Sequence, residues 1–145
     1  MLELQTTHRR IELIEEFLMT LMVRVADLPS RNEDRLPGWL VDACTRAREP
    51  EVFRVGASAL VGVAGRGHEH VCRAMKAHLG LTPTAYINRI RMEQAALMLA
   101  SSNAPIADVA LACGIENLSH FYRTFRKHYG RTPRSYRQEH GRSPF

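Results

Sequence analysis

No run of about 18 apolar residues occurs in this chain, so nothing in it is long enough to cross a membrane as a helix. No basic N-terminal stretch leads into an apolar core, so no signal peptide is expected. The three cysteines, Cys44, Cys72 and Cys113, are odd in number, widely spaced and free of any C-x-x-C pattern. That pattern fits a reduced, cytoplasmic chain with buried thiols rather than a disulfide framework. Period-two alternation of Val, Ile and Thr is nearly absent, and the 7 Pro and 9 Gly fall between apolar-periodic stretches. What remains is an all-α chain. There is no G-x-S-x-G, no phosphate-cradling glycine loop and no zinc-ligand spacing, so no enzyme, metal or cofactor is expected.

Hydrophobic residues make up 45 % of the 145 positions, enough to bury a core. The length suits one module or two very small subdomains sharing helices. Charge is unevenly divided. Residues 1–52 carry seven basic and ten acidic side chains, whereas residues 53–145 carry thirteen basic against five acidic. A strongly basic second part points to a polyanion, most often nucleic acid, with a merely solvated basic surface as the plainer alternative.

The chain also repeats itself. HLGLTPTAY, from His78 to Tyr86, returns as HYGRTPRSY, from His128 to Tyr136. Gly65 pairs with Gly114, and after that turn Arg73 pairs with Arg123, Met75 with Phe125, Gly80 with Gly130 and Tyr86 with Tyr136. One structural unit built twice is the simplest cause.

Apolar spacing and turn chemistry divide the chain. Arg9 to Asp27 carries Ile11, Ile14, Leu18, Leu21, Met22 and Val25 on one helical stripe, followed by a polar, turn-rich segment from Ser30 to Arg35. A helix is expected after Pro37, with Trp39 in the core and Pro50 as its end. Others are expected over Ala57–Ala64, His68–Leu79, Pro83–Ala100, Pro105–Cys113, Leu118–Tyr129 and from Pro133 to about Glu139. Thr82 and Thr132 are placed to cap the helices that Pro83 and Pro133 open, and Gly80 and Gly130 to end the ones before.

Each repeat reads as a helix-turn-helix: a short helix, a glycine turn, and a second helix able to enter a DNA major groove. In the second unit Leu118, Phe121, Phe125 and Tyr129 recur at core spacing, while Ser119, His120, Arg123, Arg126 and Lys127 share another face. The N-terminal half of that face suits base edges and its cationic half suits phosphates. In the first unit Val71, Met75 and Leu79 point inward, and His68, Glu69, Cys72, Arg73 and Lys76 form the outer stripe. Gly67 caps that helix without a side chain, at a cost of only a few tenths of a kcal/mol. His68, His70 and Cys72 alternate like metal ligands, but positions i, i+2 and i+4 of a helix do not converge. Tyr86 and Tyr136 are expected to be packing anchors, and Arg91 to tie its helix to a neighbour.

The stretch IADVALACGIENLSHFYRTFRKHYGRTPRSYR, Ile106 to Arg137, resembles the second helix-turn-helix of the AraC/XylS family of bacterial transcription regulators. Ile106, Val109, Ala110, Gly114, Ser119, Phe121, Arg123, Phe125, Gly130, Thr132, Pro133, Tyr136 and Arg137 carry the resemblance. Ile115 stands where the family usually has Phe, and Arg126 where it has Lys. Gly80, Pro83, Tyr86, Arg91, Ala95, Met98 and Leu99 extend it upstream. In the first unit Val61, Gly67 and Met75 depart from the usual Ala, Ser and Phe. The seven helices expected from Pro37 onward match the family's domain, with its two helix-turn-helix units and connecting helix.

The expected fold is therefore all-α: two helix-turn-helix subdomains joined by a long connecting helix and preceded by an amphipathic N-terminal helix. The expected divisions are residues 1–35, 36–101 and 102–145. The resemblance implies sequence-specific binding to double-stranded DNA in successive major grooves, activation of transcription, and RNA polymerase as a further partner. It also implies that the chain is the DNA-binding part of a longer effector-responsive regulator, with the N-terminal helix meeting a sensor domain or a second copy. A stand-alone small activator is the other form such a chain could take. No membrane contact is expected. From another class, a basic protein-interaction module meeting an acidic partner would share the charge distribution but not the steep salt dependence of DNA binding.

Overall fold

The computed structural model describes residues 35–141. The stripe from Arg9 to Asp27 and, save Arg35, the segment after it lie outside these residues, as do the last four positions. Among the described residues there are eight helices and no strand. They are α1 (Gly38–Arg46), α2 (Pro50–Phe53), α3 (Ala57–Ala64), α4 (His68–Leu79), α5 (Pro83–Ser101), α6 (Ile106–Ala112), α7 (Leu118–Tyr129) and α8 (Pro133–His140).

The helix beyond the expected seven lies at Pro50. That proline does not end α1, which stops at Arg46; it occupies the first position of α2, behind an extended Glu49. A residue before proline is pushed out of the helical region, and proline itself suits a first helical turn. The same residue type therefore serves as a stop or a start, and here it starts. Gly56 then turns the chain into α3 with φ 119°, a conformation that L side chains rarely adopt.

The repeat is visible as chemistry. The Thr82 side chain accepts a hydrogen bond from the Ala85 N–H, and Thr132 accepts one from Ser135, both at 3.2 Å. Gly80 and Gly130 close the preceding helices in the left-handed conformation, their N–H groups donating to the Lys76 and Arg126 carbonyls. These local bonds satisfy helix-end groups that would otherwise lack partners.

Two hydrophobic clusters hold the helices. The first takes Leu40, Ala43, Val52, Phe53, Leu60, Val71 and Met75 from α1–α4, with Tyr86 packed against it. The second takes Val109, Ala110, Cys113, Ile115, Phe121 and Phe125 from the α6–α7 unit, with Tyr136 packed against it. Helix α5 serves both, giving Ile87 and Ile90 to the first and Met92, Ala95, Ala96 and Leu99 to the second. A 19-residue helix committed to two cores at its two ends is a rod about 28 Å long at 1.5 Å per residue. Arg137 of α8 donates to the Ala104 carbonyl at 2.5 Å and fastens α8 to the chain that leaves α5.

Candidate nucleic-acid interface

The second unit is built around its turn. Gly114 has φ 79°, and the Ile115 N–H returns to the Ala110 carbonyl at 2.9 Å, which folds buried Ile115 under the turn. Helix α7 then starts from Asn117, whose side chain accepts from the His120 N–H at 2.8 Å. Phe121 and Phe125 are fully buried. Their rings continue through Tyr129 and Tyr136, with centroids 4.7 to 5.8 Å apart, in the tilted and edge-on geometries that aromatic quadrupoles favour. This aromatic spine fixes which face of α7 is left outside.

That outer face carries Ser119, His120, Arg123, Arg126 and Lys127, all exposed. A groove along it is lined by Leu118, Ser119, Tyr122, Arg123, Arg126, Lys127 and Thr132. Some other cations of the domain are tied up: Arg48 and Arg89 both bind Glu93 at 3.0 Å, and Arg131 binds Glu139. Among the described residues none of Arg73, Arg123, Arg126 and Lys127 has an ion-pair partner. Unpaired cations beside unspent hydroxyl and imidazole groups form a face that can meet phosphate oxygens and base edges.

In the first unit His68, Glu69, Arg73 and Lys76 are exposed on α4, and Cys72 is half-buried. Cys72 Sγ lies 3.8 Å from both ring nitrogens of His68. His70 leaves that pair and packs its ring on Trp39, centroids 5.3 Å apart. Lys76 Nζ reaches the Gly80 carbonyl at 3.4 Å, at the end of its own helix. Helix α4 begins at Gly67 with no side-chain cap.

Residues 60–139, more than half of the chain, match the sequence model of a helix-turn-helix domain family. The chain belongs to the AraC-type helix-turn-helix family of transcription regulators. It is 33 % identical over 82 residues to the HTH-type transcriptional regulator MtrA of Neisseria gonorrhoeae, covering 57 % of this chain and 27 % of that protein. It is 40 % identical over 73 residues to the HTH-type transcriptional activator RhaS of Escherichia coli, covering 50 % and 26 % respectively. The chain thus spans about a quarter of the length of these curated relatives. Among solved structures, an AraC-type transcriptional regulator of Chromobacterium violaceum superposes with a TM-score of 0.65 at 26 % identity, over 74 % of this chain and 95 % of that one. The C-terminal domain of the response regulator AraT of Geobacillus stearothermophilus shares the fold, with a TM-score of 0.67 at 24 % identity, over 77 % and 93 %.

In this AraC-type domain two lining residues of the α7 groove depart from the sequence reading. Leu118, assigned to the core by its spacing to Phe121 and Phe125, is 40 % exposed, because the first turn of α7 extends past the edge of the core. Tyr122 belongs to neither expected face, yet it lines the groove while its ring meets Phe121 edge-on. Trp39, expected in the core, is only partly buried. One side of its ring system meets His70 and the Arg66 guanidinium, 6.0 Å from the centroid, brings the turn before α4 against it. The spacing within α4 gave no sign that a residue of α1 would take His70.

Proposed function

We propose that this domain binds double-stranded DNA sequence-specifically, with α4 and α7 in successive major grooves on one face of the duplex. The observation that carries this reading is the doubled unit itself. The same threonine caps, glycine ends and outward polar stripe occur twice, on the two sides of a single connecting rod. A rod of about 28 Å suits reading helices roughly one DNA turn, about 34 Å, apart.

On α7, Ser119, His120 and Arg123 are assigned to base edges, and Arg126 and Lys127 to phosphates. On α4, His68, Glu69, Cys72 and Arg73 are assigned to bases, and Lys76 to the backbone. The division follows distance from the helix N-terminus, the end that enters the groove in helix-turn-helix docking. The relative named a transcriptional activator supports activation of transcription, for which RNA polymerase is the further partner proposed. The quarter-length match supports a place as the DNA-binding part of a longer effector-responsive regulator, meeting a sensor domain or second copy on the N-terminal side.

Selection of bound sequences from random duplex, followed by footprinting, tests the reading. The expected protection is two patches a helical turn apart on one DNA face. Affinity should fall with log salt by about 0.9 per phosphate contacted, whereas a flat salt response with no protected duplex would overturn it.

A further inference from the structure

The corner between α2 and α3 is held by two elements. Arg91, halfway along α5, donates from Nε to the Phe53 carbonyl at 2.7 Å and from Nη2 to the Arg54 carbonyl at 3.0 Å. Gly114, at the turn of the second unit, lies against the same peptide: a Cβ there would sit 2.7 Å from Arg54 Cα and 2.9 Å from its carbonyl carbon. A crevice beside this contact runs from Arg54 to Asn117 and His120, the first turn of α7. The corner of the first unit therefore touches the connecting helix and the turn of the second unit together.

A helix held at one point can still roll or bend about it. Two charged-donor hydrogen bonds from one planar guanidinium, together with backbone contact between Gly114 and the same Arg54 peptide, restrain both motions. The glycine permits this approach, since any side chain at 114 would collide with backbone rather than with a flexible tip.

We propose that this joint, with Arg91 and Gly114 as positioning residues, fixes the separation and angle of α4 and α7 before DNA is met and so sets the half-site spacing that one chain accepts. The spacing role rests on the two-groove reading given above; the joint itself does not.

Two measurements on the full chain test it. The first needs no DNA. Nitroxides on Ala77→Cys and His128→Cys, both exposed positions, report the α4–α7 separation in a background of Cys44→Ala and Cys72→Ser, with buried Cys113 left in place. Pulsed electron resonance should give one narrow distance distribution. Arg91→Met, which keeps the stem and loses both donors, should broaden it. Arg91→Lys, with one compact donor group, should fall between the two, and it stands in if the Met variant does not fold.

The second measurement compares a duplex carrying both half-sites, the same duplex with one or two inserted base pairs, and each half-site alone. In Arg91→Met the half-site affinities should hold, while the whole-site affinity falls by at least about tenfold and its dependence on spacing flattens, because rigid linkage sets the effective concentration of the second contact. An unchanged distance distribution overturns the joint. An equal loss for half-sites and whole site overturns the spacing role. A parent chain that protects a single patch overturns the two-groove reading, and the distance measurement then still decides the joint.

Discussion

Asn117 accepts a hydrogen bond from the His120 N–H at 2.8 Å, and at the equivalent place in the first unit Gly67 offers helix α4 no side chain at all. Helices α4 and α7 thus begin differently although their other ends match. Asn117→Ala should destabilise the domain by about 1 kcal/mol. Gly67→Ser should stabilise it by a few tenths to about 1 kcal/mol, since Gly67 already has an extended backbone and open space around a new Cβ. Urea unfolding of the two variants checks both signs.

Arg123 is exposed on the outer face of α7 and has no ion-pair partner among the described residues. Arg123→Ala should weaken binding to the selected site by about 1–3 kcal/mol and relax sequence preference at one position. Arg126→Ala and Lys127→Ala should weaken all duplexes alike and each lower the salt slope by about 1. Titrations of specific and scrambled duplex at several salt concentrations separate the two behaviours. A scrambled-duplex affinity that drops as much as the specific one would remove Arg123 from base reading.

Phe125 joins the aromatic spine to Tyr129 and Tyr136 and is fully buried. Phe125→Ala should cost about 3–5 kcal/mol through lost burial and a residual cavity. Thermal unfolding followed by circular dichroism reads it.

Burial pushes the Cys113 thiol up to about 11 from an ordinary value near 9, and pushes the Tyr86 phenol up to about 12 from 10. Both groups hold their protons more tightly folded than unfolded. Their contribution is therefore complete below the ordinary values and is lost as pH rises through the folded ones. Unfolding midpoints should be flat from pH 7 to about 8.5 and decline from pH 9 to 11, with Cys113→Ala reducing the early part of the decline. A midpoint that rose over that window would contradict the burial.

Much of the fold was legible because its signals are local. Helices α4 and α7 run over the residues expected from spacing, since Gly80, Gly130, Thr82 and Thr132 act within one turn of where they sit. The outward placing of Ser119, Arg123 and Arg126 followed from the 3.6-residue period once Phe121 and Phe125 were assigned to the core. Pro50 escaped because one residue type favours both the end of a helix and the start of the next. Leu118 escaped because periodicity tells which way a side chain points and not whether the core extends that far.

The sequence alone determined that this chain is helical, doubled and basic on one half, because caps, periodicity and charge are properties of neighbouring residues. Only the tertiary structure decided that His70 leaves the His68–Cys72 pair for Trp39, and that Arg91 bonds the Phe53 and Arg54 carbonyls while Gly114 lies against Arg54. Those contacts join residues far apart in the chain. They depend on which surfaces fit when whole helices pack, a shape that no short-range rule encodes.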